Sequence, residues 1–94
     1  LISYSFRDFE DLLRMAQTVR PLVVDGGKLY HYKDLWILQL NPAGLIEDEG
    51  RYEAVIAILS EFGEAVSISE AVLAEYGRTV LAERAIFALC DHFT

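Results

Sequence analysis

Residues 67–93, SISEAVLAEYGRTVLAERAIFALCDHF, form a compact unit with almost no spare residues. Ser69 is placed to cap a helix over 70–76, and Gly77 is placed to end that helix in the left-handed conformation. Residues 78–81 have β-branched character, and residues 83–92 return to helical spacing. The segment therefore predicts a helix, a short strand and a closing helix, with few residues left for loops.

Upstream of this segment the pattern alternates between strands and helices. The predicted strands lie over 1–6, 28–32, 35–40 and 65–68, and a tight turn joins the second to the third. A helix capped by Asp8 follows the first strand, and its predicted buried residues are Phe9, Leu12, Leu13 and Ala16. A second helix is predicted over 48–62. Pro21 and Gly63 end the two helices. Apolar residues at 36–38 indicate that this strand is central and covered on both faces.

The whole chain therefore predicts an α+β fold of one domain over residues 1–94. The order is β-α-β-β-α-β-α-β-α, and we expect a two-layer sandwich, a mostly antiparallel sheet with helices on one face. The composition, with 53% hydrophobic and 24% charged residues, is typical of a folded globular chain. No apolar run approaches the ~18–20 residues that span a bilayer.

The charge of the chain is divided unevenly along its length. Residues 1–44 carry five acidic and five basic side chains, whereas residues 45–94 carry ten acidic and three basic ones, so the second part holds the whole net charge of −7. Such a field repels phosphate backbones and anionic membranes and attracts a basic partner. Nucleic acid and membrane surfaces are thereby disfavoured as partners. The same acids are also typical of ordinary solvated helix faces.

Candidate catalytic residues are few. His31 alternates with two tyrosines on the predicted hairpin, and no nucleophile or acid lies beside it in the sequence, so packing within the strand explains it better than general-base chemistry. Cys90 and His92 are close in sequence but point about 200° apart on a helix, since each residue turns the helix by ~100°. One cysteine excludes an internal disulfide and is typical of a reducing compartment. A zinc site would need about four ligands.

Two further motifs have structural explanations. The Asp-Gly-Gly-Lys sequence at 25–28 lacks the glycine spacing and the Ser or Thr of a phosphate loop, and it precedes a strand, so we interpret it as a turn. The acids Glu47, Asp48 and Glu49 could surround a divalent cation. Three acids before a helix more often serve as capping residues that the helix dipole favours, and EF-hand spacing is absent. We therefore expect no cofactor, no metal and no enzymatic activity.

Several short segments resemble one known family. Residues 73–78, LAEYGR, with the following strand and a helix ending in Asp-His-Phe at 91–93, resemble the closing signature of the MecA/YpbH adaptor family. Residues 6–11, FRDFED, resemble the phenylalanine- and acid-rich start of that family's C-terminal domain. The aromatic hairpin and residues 59–62 and 67–69 follow in matching order. Ala82 departs from the family, which often places a serine helix cap there, and should weaken the last helix by roughly 1 kcal/mol.

The resemblance implies a function that composition does not reveal. Members of this family are cytoplasmic, non-catalytic adaptors of Gram-positive bacteria for the AAA+ unfoldase ClpC. The resemblance implies that this chain docks on the N-terminal and middle regions of ClpC, promotes hexamer assembly, and so regulates competence through degradation with ClpP. Because the chain opens within a strand pattern, we expect an excised C-terminal or internal domain, and the resemblance implies the C-terminal domain of a longer adaptor. The N-terminal domain of such an adaptor would recruit substrates such as ComK.

We place the docking site on acids and an aromatic side chain. The hypothesis assigns Glu61, Glu75 and Tyr76 to the ends of two helices that meet across the connection 63–69, with Glu64 and Glu70 at the rim. The alternative for Tyr76 is a core aromatic at a helix C-terminus. The alternative function is a small-ligand-binding regulatory domain of ferredoxin-like or ACT type. That function would need a ligand niche at a helix N-terminus beside a glycine turn.

Overall fold

The computed structural model describes residues 1–44 and 49–93. The strands are β1 (Ile2–Phe6), β2 (Lys28–Tyr32), β3 (Leu35–Leu40), β4 (Glu64–Ala65) and β5 (Arg78–Leu81). The helices are α1 (Phe9–Val19), α2 (Glu49–Phe62), α3 (Glu70–Tyr76) and α4 (Ala85–Phe93), with short 3₁₀ turns at Arg20–Leu22 and Pro42–Gly44. The order of strands and helices is the predicted one.

The five strands form one sheet in the order β4-β1-β3-β2-β5, and every neighbouring pair is antiparallel. The β2–β3 hairpin pairs Tyr32 with Leu35, so the predicted tight turn consists of the two residues between them. β3 is the central strand, and its buried residues Ile37 and Leu38 belong to two different core clusters. The prediction of a central strand covered on both faces is confirmed.

The main core lies on one face of the sheet, under α1, α2 and α4. α1 lies between the other two helices and packs against both. Its N-cap is Asp8, whose carboxylate accepts the N–H of Glu10 at 2.9 Å. The buried positions of α1 are Leu12, Met15, Ala16 and Val19, whereas the predicted Phe9 and Leu13 are only half-buried. The predicted α+β sandwich with an antiparallel sheet is confirmed.

A smaller core covers part of the opposite face. Tyr30 and Ile37 point away from the three helices and pack with Leu73 of α3. Val66 and Ile68, in the segment that leads into α3, are half-buried against this cluster. α3 therefore lies across the sheet from the other three described helices, so the predicted placement of the helices on one face is wrong for α3.

Gly77 corrects one prediction. Its φ of −99° and ψ of 179° are extended, not left-handed. The N–H of Gly77 makes the last helical hydrogen bond, to the carbonyl of Leu73 at 3.0 Å, and the helix ends there because the backbone turns extended and β5 begins at the next residue. A side chain at this position would lie 2.8 Å from the carbonyl oxygen of Leu73. Glycine is therefore required for close packing and not for a left-handed cap.

Two element boundaries also differ from the predictions. The strand predicted over 65–68 is only Glu64–Ala65, because the chain beyond Val66 crosses to the opposite face and packs on the smaller core. The last helix begins at Ala85 and not at residue 83. Arg84, with φ of +52°, interrupts the helical conformation just before it.

The start of α4 is capped by the glycine turn that was predicted before β2. Gly26 and Gly27 have φ values of +85° and +75°. Their carbonyls accept the N–H groups of Ile86 and Ala85 at 3.0 and 3.1 Å. The turn thereby satisfies two amides that a helix start otherwise leaves without partners, and it joins the start of β2 to the last helix.

Candidate docking surface

α3 presents an exposed apolar and acidic surface. Ser69 caps the helix by accepting the N–H of Val72 at 3.2 Å, and Leu73 anchors it in the smaller core. Tyr76 is 69% exposed, and Val72, one turn earlier, is 36% exposed. Glu75 is also exposed. We call Val72, Glu75 and Tyr76 the α3 patch. The alternative of Tyr76 as a core aromatic does not agree with this exposure.

Glu61 and Glu64 lie at a different place. Glu61 is near the end of α2 and Glu64 is in β4, and both line a shallow groove of about 260 Å³ beside β1. Asp11 and Arg7 line the same groove, so three carboxylates face one guanidinium. We call Glu61 and Glu64 the α2 patch. Its charge makes it suitable for steering a basic surface.

Glu70 is held in an ion pair with Lys28. The Nζ of Lys28 donates to the Oε1 of Glu70 at 2.9 Å, and both side chains are about half exposed. The hydrogen bond to Glu70 and its charge raise the pKa of the Lys28 ammonium above its ordinary value. Because its charge is compensated by Lys28, Glu70 contributes less than Glu75 to the acidic field at α3.

The structure does not bring the five predicted residues together at one place. α2 packs on the face of the main core, whereas α3 packs on the opposite face against β2 and β5. β4 and β5 are the two edges of the sheet, roughly 19 Å apart for four strand spacings of ~4.8 Å. The expectation that the two helices meet across the connection 63–69 is therefore wrong. The acids and Tyr76 form two separate patches.

Sequence reasoning did not find Val72. Its signal is local: Val72 and Tyr76 are four residues apart on a helix, and such residues lie on the same face. Leu73 is the buried residue of the helix, so Val72 and Tyr76, which lie one turn apart on a neighbouring face, can remain exposed. The sequence did not reveal that α3 is the one described helix on its face of the sheet, since that depends on contacts between residues far apart in the chain.

The candidate catalytic residues have structural roles. His31 is half-buried and its ring centroid lies 4.7 Å from that of Trp36, the residue opposite it in the β2–β3 ladder. Cys90 is buried in the main core, whereas His92 is exposed. These placements agree with the interpretation of His31 as a strand residue packed by neighbours and of Cys90 as a small core side chain.

Neither a metal cluster nor a membrane-spanning helix is found in the part of the chain that the structure describes. Among residues 1–44 and 49–93, no three His, Cys, Asp or Glu side chains are grouped closely enough to hold a metal ion. The acids Glu47 and Asp48, weighed above as cation ligands, lie outside the described residues. No helix within the described ranges has the length and apolar character needed to cross a bilayer.

The helix start beside the glycine turn is already occupied. The alternative of a small-ligand regulatory domain needs free amides at such a place. Here the N–H groups of Ala85 and Ile86 donate to the carbonyls of Gly27 and Gly26, so these two amides are not available to a ligand. This contact disfavours the ligand-binding alternative.

The sequence matches one family and its curated members. The family described as negative regulator of genetic competence (MecA) matches over residues 1–89. Adapter protein MecA 2 of Bacillus subtilis (strain 168) is 30% identical over 93 residues, which are 99% of this chain and 46% of that protein. Adapter protein MecA of Lacticaseibacillus casei (strain BL23) is 37% identical over 84 residues, 85% of this chain and 35% of that protein. The chain thus spans less than half the length of these relatives.

Solved structures agree with the sequence comparison. The crystal structure of the C-terminal domain of YpbH has a TM-score of 0.80 at 27% identity and covers 97% of this chain and 96% of its own. The crystal structure of the C-terminal domain of MecA has a TM-score of 0.82 at 26% identity, and the match covers 98% of this chain and 96% of that one. A chain from a cryo-EM study of the MecA–ClpC complex has a TM-score of 0.78 at 26% identity, with 99% and 95% covered.

Proposed function

Because this chain belongs to the MecA family, we propose that it is a non-catalytic adaptor domain whose partner is the unfoldase ClpC. The relatives are named adapter proteins, and one structural neighbour was solved in a complex with ClpC. The proposal extends to promotion of ClpC hexamer assembly in the cytoplasm through the N-terminal and middle regions of ClpC. In this proposal substrates such as ComK are recruited by another domain and degraded with ClpP.

The observation that carries the proposal is the exposure of Tyr76 beside Glu75 on α3. An aromatic ring that is 69% exposed, on a helix held by one buried leucine, is not needed for either core. Tyrosine is enriched at interface positions that contribute most of the binding energy, because it buries a large ring and keeps a polar handle. We therefore propose the α3 patch as the anchor for the partner.

The distribution of charge along the chain supports the proposal that acidic side chains steer the partner. Residues 45–76 carry eight acidic side chains and one basic one, which is the whole net charge of −7. The α2 patch and the α3 patch both lie in this segment. Opposite charges at an interface raise the rate of encounter more than the final affinity. We propose that the partner surface is basic and that Glu61, Glu64 and Glu75 steer it, with Glu70 at the rim.

Titration calorimetry of this domain against purified ClpC, at low and at high salt, tests the proposal. We expect micromolar or tighter binding that weakens as the salt concentration rises, because salt screens exposed charges beyond about 10 Å at 0.1 M. Tight binding that does not depend on salt would keep the adaptor function and contradict the acidic steering. Absence of binding at both salt concentrations would contradict the function itself.

A further inference from the structure

Two arginine side chains lie over one phenylalanine ring at the start of α4. The guanidinium carbon of Arg84 is 4.8 Å from the centroid of the Phe87 ring, and that of Arg20, which follows α1, is 5.6 Å from the same centroid. Both arginines are exposed, whereas Phe87 is half-buried against the main core. Such stacking orients a guanidinium group and leaves the N–H groups at its edge free to donate. We call Arg20, Arg84 and Phe87 the arginine site.

The backbone beneath the arginine site is closely packed. A β-carbon at Gly26 would lie 2.8 Å from the Phe87 ring and 3.0 Å from the Cα atom of Arg84. The carbonyl of Gly26 also accepts the N–H of Ile86 at 3.0 Å. The glycine turn therefore fixes the backbone from which Arg84 and Phe87 extend, and a site fixed in this way loses little freedom when it binds.

Arg84 has a backbone conformation that favours glycine. Its φ is +52°, in the left-handed region that is unfavourable for a residue with a β-carbon. Glycine would adopt the same conformation without that cost, so the start of α4 does not need arginine for its backbone. The presence of arginine is therefore explained by what its side chain contacts, and strain of this kind is concentrated at functional positions.

The charges at the arginine site are not balanced. Nη1 of Arg20 pairs with Oδ1 of Asp91 at 3.1 Å. Among the described residues no carboxylate, including that of its neighbour Glu83, lies within ion-pair distance of Arg84. Two guanidinium groups thus face one carboxylate in a chain whose net charge is −7. The one positive charge left over matches a single carboxylate better than a phosphate dianion, and the fork of N–H groups on Arg84 fits a carboxylate through two hydrogen bonds.

We propose that the arginine site binds a carboxylate side chain of an acidic peptide segment, with Arg84 donating to both carboxylate oxygens and Arg20 supplying the second positive charge. The site shares no residue with the α2 patch or the α3 patch, so the proposal is independent of the proposed function, whose partner surface is basic. Because the net charge of the chain repels an acidic segment at long range, binding through this one contact should be weak.

Two tripeptides with blocked ends, Gly-Glu-Gly and Gly-Gln-Gly, test the proposal, because they differ only in the carboxylate. NMR signals of the arginine Nε–Hε groups, recorded at constant ionic strength, report on each guanidinium separately. We expect saturable shifts of Arg84 and Arg20 with Gly-Glu-Gly and none with Gly-Gln-Gly. Arg14, an exposed arginine that is paired with Glu10 on α1, should not shift with either peptide. Absence of a saturable shift at Arg84 would overturn the proposal.

The variant Arg84→Gly separates the side chain from the backbone of the turn. It should fold, because glycine adopts the left-handed conformation without strain, and it should weaken the binding seen at Arg20 by ~10-fold or more. Arg84→Asn, which also tolerates this conformation, replaces it if the glycine variant does not fold. Arg14→Gln is the matched control and should bind as wild type. Unchanged binding in the Arg84 variant would overturn the proposal, and inorganic phosphate that binds more tightly than Gly-Glu-Gly would overturn the assignment to a carboxylate.

Discussion

Single residues of the glycine turn determine how β2 and α4 are joined. Gly27 has φ of +75°, and a β-carbon there would lie 2.5 Å from the carbonyl oxygen of Gln39. The residue therefore needs both the left-handed conformation and the absence of a side chain. The sequence predicted a turn at this position from its two glycines. It did not predict that their carbonyls cap α4, because that contact joins residues nearly sixty positions apart.

Replacement of Gly27 by alanine should destabilise the domain strongly. We expect a loss of at least ~2 kcal/mol in the free energy of unfolding, from backbone strain, the clash with Gln39 and the displaced cap of α4. Urea unfolding followed by circular dichroism measures it. Val24→Ala, an exposed change three positions earlier, should alter stability by less than ~0.5 kcal/mol. Equal stability of the two variants would contradict the role given to the turn.

The ion pair between Lys28 and Glu70 predicts a dependence on pH. Because the folded state raises the pKa of Lys28, its contribution to stability is fully present below the unfolded pKa, near 10.5, and is lost as pH rises through the folded pKa. The difference in unfolding free energy between wild type and Glu70→Gln should therefore be constant from neutral pH to about pH 9 and shrink towards pH 11. Denaturant titrations across this range measure it. A difference that grows at high pH would contradict the pairing.

Acidic residues at the two patches predict a kinetic effect. The double variant Glu61→Gln/Glu75→Gln should slow association with ClpC by roughly threefold to tenfold at low salt, with little change in dissociation rate or stability. Surface plasmon resonance separates the two rates. Glu53→Gln, an exposed acid on α2 outside both patches, is the matched single-charge control. An association rate that the double variant leaves unchanged would move the steering surface elsewhere.

Among the helices, strands and turns, the sequence predicted the features that depend on residues close together in the chain. The caps Asp8 and Ser69, the hairpin turn and the helix after Asp8 are set by residues close together in the chain, and the structure confirms them. The boundaries that differ depend on distant contacts. β4 ends after two residues because the chain crosses to the smaller core, and α4 starts late because of Arg84 and the glycine turn.

α3 should open more easily than the other helices. It has seven residues and one buried side chain, Leu73, so Ser69 supplies a large part of its stability. Ser69→Ala should cost about 1 kcal/mol and increase hydrogen exchange of the amides at 72–77 more than elsewhere. In Asp8→Ala, loss of the α1 cap should instead lower global stability, because α1 lies in the main core. Uniform exchange changes in both variants would contradict a locally weak α3.

For the whole molecule, the sequence selected the residues of the proposed docking surface but not their layout. The acids and Tyr76 could be selected from charge and helix ends. α2, which carries Glu61, and α3, which carries Glu75, lie on opposite faces because they pack on different core clusters, and no local pattern encodes that choice. Because a short connection joins α2 to α3, the sequence suggests that the two helices are close in space. In the structure β4, which lies between them in the chain, takes the backbone around one edge of the sheet. A partner that touches both patches must therefore extend around the domain.

The separation of charge gives the molecule two different surfaces. The net charge of −7 lies within residues 45–76, whereas residues 77–94 carry two acidic and two basic side chains. The acidic patches are therefore the part of the surface that is suited to a basic partner.

Titration of Tyr76→Ala against ClpC, beside wild type and Tyr52→Ala, tests whether α3 anchors the partner. Loss of a buried interface tyrosine should weaken binding at least tenfold, about 1.4 kcal/mol, whereas Tyr52→Ala, which removes an exposed tyrosine outside the α3 patch, should bind as wild type. Equal affinities of all three proteins, with unchanged folding, would contradict the claim that α3 anchors the partner.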